Sequence, residues 1–133
     1  MSIHFNRESQ TFHLYNDEIS YIMKVTRSGH LGQLYYGKRV RDRDNYDYLL
    51  ETEPRSMSVC CFEEDLSYSL EHIKQEYPVW GTGDMHLPAL DVRLPDGSRL
   101  LDLTYRSHEI LAGKPGLKGL PAVYVEDASE AET

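Results

Sequence analysis

Residues 11–25 read Thr11-Phe12-His13-Leu14-Tyr15-Asn16-Asp17-Glu18-Ile19-Ser20-Tyr21-Ile22-Met23-Lys24-Val25, and this stretch decides the fold. Thr11 to Tyr15 alternates apolar and polar side chains, the pattern of a strand with one buried face. Asn16-Asp17-Glu18 supplies a turn, because Asn and Asp side chains bond backbone groups two residues on. Ile19 to Val25 then resumes with Ile, Tyr, Ile and Val, residues that suit a pleated, half-buried surface. Ser28-Gly29-His30 breaks this second strand, and Leu31 to Tyr36 forms a third before Gly37-Lys38. Strands of five to seven residues joined by tight turns are the spacing of an antiparallel meander.

Outward from this core the pattern is less regular. Asp42-Arg43-Asp44-Asn45 is a polar loop, and Glu53-Pro54-Arg55 punctuates a second one, since Pro removes a ladder donor and restricts the residue before it. Ser56 to Phe62 is expected as a strand. Leu70 to Glu76 has helical spacing over one or two turns at most, and Gly81-Thr82-Gly83-Asp84 is a turn in front of Pro88. Ala89 to Leu94 alternates, Pro95-Asp96-Gly97-Ser98 is a turn, and Arg99 to His108 alternates again, which predicts a β-hairpin. Ala122 to Val125 is strand-like, and the acidic run from Glu126 to Thr133 is expected to fray. The fold class expected is mostly β: an antiparallel β-sandwich with little helix, in one folding unit over residues 1–133. Its last strand reads as an edge that another segment would cover.

The chain has 133 residues, 40% hydrophobic and 27% charged, which excludes collagen-like and fully disordered classes. A net charge of -8 excludes nucleic acid as a partner, because that affinity comes from Lys and Arg neutralising phosphates. The one basic cluster, Lys38 to Asp44, is interrupted by its own acids. No apolar run approaches the roughly 20 residues that span a bilayer, and the opening Met1-Ser-Ile-His-Phe-Asn is polar, so a cytoplasmic protein without membrane association is expected. Cys60 and Cys61 are adjacent, read as reduced thiols rather than a disulfide. Ten Tyr against one Trp and three Phe suit strands, and also surfaces that receive sugar rings.

Candidates for chemistry are sparse. Asp84 and the Glu63-Glu64-Asp65 run are the acids a two-carboxylate glycosidase search flags first; Asp84 reads as a residue ordering its own turn, and the acidic run as a solvated loop. Glu71, His72 and Glu76 include an i, i+4 pair that could share a helical face, but no second His lies nearby, so no metal and no cofactor are expected. Gly81-Thr82-Gly83 begins like a dinucleotide loop, yet no helix-forming sequence follows. The residues alone lead to an acidic, mostly β domain with no catalytic group.

Several stretches, in order, resemble the opening segment of the α-galactosidases of glycoside hydrolase family thirty-six. They are Thr11 to Leu14, Ser20 to Met23, Gly29-His-Leu31, Tyr35 to Lys38, Gln75 to Pro78, Gly81 to Asp84, Asp96 to Ser98, Gly113 to Pro115, Gly119 to Ala122, Tyr124 to Glu126 and Glu130 to Thr133. The resemblance implies part of a galactose-mutarotase-like β-supersandwich, with the catalytic (β/α)₈ barrel and its two aspartates outside this chain. It implies no catalytic residue here, a galactoside of the melibiose or raffinose type as the parent's substrate, and a homo-oligomer, tetrameric in the parent. In tetrameric relatives a loop of this domain reaches a neighbouring subunit's pocket, where an Asp just before an Arg contacts the sugar. Here Arg55 matches the Arg, Pro54 stands at the Asp position, and Glu53 lies one residue early; Glu53 and Arg55 are the substrate-binding residues the resemblance implies, acting in trans. Two rival readings remain: a freestanding sugar-binding sandwich, motivated by the tyrosines and Trp80, and a purely structural domain.

Overall fold

A computed structural model describes residues 1–54, 65–81, 83–116, 118–119 and 127–133. The expected strands at Ser56–Phe62 and Ala122–Val125, the cysteines, Glu63, Glu64 and Arg55 lie outside the described residues.

Four strands, β1 (Ser2–Asn6), β2 (Thr11–Tyr15), β3 (Ile19–Val25) and β4 (Leu31–Lys38), form one antiparallel sheet in the order β1-β2-β3-β4. The mostly β, antiparallel reading holds, and β2 and β3 have the bounds read from alternation. β4 continues through Gly37-Lys38, where a break was expected, because Ile19 and Ser20 of β3 pair with Lys38 and Gly37. β1 adds a strand not anticipated, its Ile3 and Phe5 facing Leu14 and Phe12.

The connections follow the turn chemistry. Asn16 Oδ1 accepts from the N–H groups of Glu18 at 2.9 Å and Ile19 at 2.8 Å, closing the β2–β3 turn. Asn6 Oδ1 plays the same part between β1 and β2, accepting from Glu8 and Ser9. Gln10 follows with φ 53, the left-handed region where a side chain is disfavoured. Between β3 and β4, Gly29 takes φ 84 and donates to Thr26 O at 2.9 Å. Pairing runs Ile22 to Tyr35 and Met23 to Gln33, which leaves Leu34 as the extra residue of a bulge.

Alternation gives the sheet two different faces. One carries His13, Ile22 and Tyr35 and lies under the loop from Arg39 to Leu50, whose Tyr46 ring packs against His13. The other carries Phe5 and Phe12, stacked at 4.4 Å between ring centroids and capped edge-on by His108, with Tyr105 also against Phe12. Tyr68, Leu70 and Ile73 form a further buried cluster against Leu50.

Both sheet edges are partly covered. Gln33 N donates to Lys74 O and Glu76 N to Leu31 O, so residues 74–76 pair with β4. At β1, Glu132 N donates to Met1 O at 3.0 Å, and Leu111 and Thr133 exchange bonds at 2.8 and 3.0 Å. The C-terminal residues are therefore tied down rather than frayed, Ala131 is buried, and Ile3 N donates to the Glu132 carboxylate.

Two further expectations are corrected. Residues 89–108 form no hairpin ladder. The Pro95-Asp96-Gly97-Ser98 turn is made, with Leu94 N bonded to Ser98 O at 2.9 Å, but beyond it the two arms part. Leu101 N turns to Trp80 O, Tyr105 N to Gly29 O, and Ala89 N to Pro78 O, so each arm serves another segment. Residues 70–72 form a single turn, closed by His72 N to Ser69 O, and no helix continues to residue 76, because residues 74–76 are drawn into pairing with β4. Helical backbone in the described residues is confined to two 3₁₀ turns, Asp47–Leu49 and Ala128–Glu130.

Candidate functional site at the loop after β4

After β4 the chain crosses its own sheet face and then runs toward Glu53. Its path is set by a buried relay. His13 is 1% exposed and Ser20 0%, side by side on β2 and β3. His13 Nδ1 lies 3.0 Å from Asp42 Oδ1 and Nε2 2.9 Å from Ser20 Oγ. A carboxylate can only accept, so Nδ1 carries the proton and Nε2 accepts from the serine hydroxyl. Ser20 Oγ in turn accepts from Val40 N at 3.1 Å, and His4 Nδ1 reaches the other Asp42 oxygen at 2.5 Å. Burial pushes the Asp42 carboxyl up, but the hydrogen bond from His13 and the charge and hydrogen bond of His4 outweigh it and hold the group below its usual range.

A second relay binds the β3–β4 turn to the distant arm. His30, 2% exposed, places Nε2 at 2.8 Å from Asp102 Oδ1 and Nδ1 at 2.9 Å from Ser28 Oγ, which also meets the Tyr68 hydroxyl at 2.7 Å. Both relays have the residue types of a hydrolytic triad, and neither is one. A nucleophilic serine must meet a substrate, whereas Ser20 is sealed and Ser28 is surrounded by its own hydrogen-bond partners. They are polar pins holding segments to the sheet. Sequence reasoning missed them, since neither a His inside an alternating strand nor one in a turn carries a local sign of the Asp it meets 29 or 72 residues later.

Past the relay, the chain reaches a cleft of about 310 Å³ whose lining includes Lys24, Arg27, Asp47, Thr52, Asp65 and Tyr68. Lys24 pairs with Asp47, and Arg27 pairs with Asp65 at 2.6 Å while lying 4.1 Å over the Tyr68 ring. Hydrogen bonds from Ser67, then from Arg27, hold the Asp65 carboxyl down at about 2. Thr52 and Asp65 stand at the two ends of the segment that contains Arg55, so this charged cleft is the base of the loop singled out in the sequence. Glu53, next to Thr52, is exposed in non-helical backbone. Arg55 lies outside the described residues.

The remaining candidates are structural. Asp84 is buried, its carboxylate accepting from His86 N at 2.9 Å, from the His86 ring and from the Gln75 amide, so it orders its own turn as expected. Glu76 accepts from the Tyr21 hydroxyl, and His72 N donates to Ser69 O at 3.2 Å. Without a helix, Glu71, His72 and Glu76 have no common helical face, and among the described residues no three His, Cys, Asp or Glu side chains are grouped to hold a metal. No helix of the described residues is long and apolar enough to cross a membrane.

The sequence pattern described as the glycosyl hydrolase family 36 N-terminal domain matches residues 29–133. The chain belongs to this family. As a family 36 N-terminal domain it is 42% identical over 133 residues to the α-galactosidase AgaA of Geobacillus stearothermophilus, a match covering 100% of the chain and 18% of that protein. Its structure is similar to the crystal structure of the α-galactosidase from Lactobacillus brevis, with a TM-score of 0.89 at 36% identity, over 98% of this chain and 18% of that one. A variant of AgaA from G. stearothermophilus, solved in complex with stachyose, aligns at a TM-score of 0.80 and 42% identity over 92% of this chain and 17% of that one. The chain thus spans 18% of the length of the first relatives it matches.

Proposed function

We propose that this chain is the noncatalytic N-terminal part of a retaining α-galactosidase that hydrolyses terminal α-galactosides of the melibiose and raffinose type. The observation that carries the reading is the end-to-end match to 18% of a known α-galactosidase. Among the described residues, Asp84 and the two His–Ser–Asp relays are committed to structural hydrogen bonds. On this reading residues 1–133 are one segment of a larger sandwich. Leu87, Leu90, Leu100, Leu103, Ile110 and Leu111, all exposed along the arms, are in keeping with it, since another part of the protein would cover them. The barrel, in this proposal, is supplied by the rest of a cytoplasmic parent chain.

The loop bearing Glu53 and Arg55 is assigned to the rim of a neighbouring subunit's pocket in a homo-oligomer. What supports this is its position: Glu53 is exposed and extends from a base held by the Lys24–Asp47 and Arg27–Asp65 pairs. A carboxylate can accept a sugar hydroxyl and a guanidinium can donate to one. The test is steady-state kinetics on the full-length parent carrying Glu53→Ala and Arg55→Ala together. A rise in KM of roughly tenfold, about 1.4 kcal/mol of lost binding, is expected at unchanged oligomeric state. An unchanged KM removes the loop from the site and leaves the segment a structural role.

A further inference from the structure

The sheet face opposite Phe5 and Phe12 carries a second concavity, separate from the base of the Glu53 loop. It measures about 330 Å³, within the range of small-ligand sites, and its floor is Ile22 and Tyr46. Tyr35 and Tyr48 stand among its walls, together with Arg41 and Arg43, and among the described residues no carboxylate lines it.

The walls are held in place before any ligand arrives. The buried Tyr46 hydroxyl donates to Arg41 O and accepts from Arg43 N, both at 3.0 Å, so the floor fixes the backbone of both arginines. Tyr48 rides on the Asp47–Leu49 turn, which is closed by Leu49 N to Tyr46 O at 2.9 Å and Leu50 N to Asp47 O at 3.0 Å. Asp47 is itself held by Lys24 and accepts from the Asn45 amide. Yet Tyr48, in the middle of this turn, is 69% exposed. An exposed aromatic residue on a hydrogen-bonded turn, sharing one cleft with two arginines whose backbones are held, is a pre-organised binding element, since little backbone freedom is lost on binding.

We propose that this cleft binds a pyranose ring of a neutral oligosaccharide. The C–H face of the sugar lies on the Tyr48 ring, with Tyr35 lining the same cleft, and its hydroxyl oxygens accept from Arg41 and Arg43. A purely apolar ligand would strip water from the two guanidiniums without replacing their hydrogen bonds. A small free anion would pair with the arginines but gain nothing from the Tyr48 ring, whose face is electron-rich. The site does not depend on the parent's catalytic assignment, and it uses neither Glu53 nor Arg55.

The test is ligand-observed NMR on the 133-residue chain with stachyose as probe. Saturable transfer to pyranose ring protons is expected, with an affinity on the order of 1 mM. Tyr48→Ala should weaken it by more than tenfold with an unchanged circular dichroism spectrum, because the ring is exposed; Tyr48→Phe should retain it, and Arg43→Ala should weaken it. Tyr77→Ala, an exposed tyrosine elsewhere, should leave it unaltered. Absence of transfer with the unsubstituted chain, or equal transfer in Tyr48→Ala, overturns the proposal. Either result leaves the KM experiment on Glu53 and Arg55 untouched.

Discussion

His13 is the residue on which the most local structure converges. It joins β2 to β3 through Ser20 and fastens the crossing loop through Asp42. Replacing it by Ala leaves a void and strands buried polar partners, so a loss of roughly 2–4 kcal/mol is expected in urea unfolding. Asp42 gives the pH dependence. Its carboxyl is held below the usual value, so its contribution is present above the ordinary carboxylate range and is lost as pH falls through the lowered folded value. Asp42→Asn should flatten the acid limb of stability against pH. At the other extreme, burial and the hydrogen bond to Glu76 push the Tyr21 hydroxyl from 10.0 up to about 12. Its contribution is complete below the ordinary value and disappears as pH rises through 12. A tyrosinate absorbance titration should show one late-ionising tyrosine, missing in Tyr21→Phe. None of these pairings was legible in the sequence, because each joins residues that only the folded sheet brings together.

At the scale of the elements, β2, the Asn16 turn and β3 were legible because every signal needed was local: alternation, turn chemistry, alternation again. The 89–108 arms carried equally clean alternation and formed no hairpin. Alternation states which side chains share a face, not which backbone completes the hydrogen bonds, and Trp80 and Gly29 take the bonds that a hairpin would have used. Residues 130–133 were misread for the opposite reason. Their composition is acidic and polar, but their backbone is paired at both Met1 and Leu111. Removing residues 130–133 should expose the amides of residues 3, 111 and 113 to exchange with solvent, a change of at least tenfold by hydrogen exchange, since the opening would no longer have to break those pairings. In the same assay Asn16→Ala should destabilise the β2–β3 turn by about 1 kcal/mol, the loss of two local bonds partly replaced by water.

For the whole molecule, the family was legible in the order of short motifs from Thr11 to Thr133, and it agrees with the match over residues 29–133. The site was less so. Glu53 is exposed next to Thr52 of the charged cleft, and the role proposed for it joins two subunits, for which local sequence carries no signal. The central claim is that this segment belongs to a galactosidase without being one. Its most direct test is the release of nitrophenol from a nitrophenyl α-galactoside by the purified 133-residue chain. The rate should not exceed that of buffer, whereas turnover that survives repurification and rises in proportion to the chain would contradict the account.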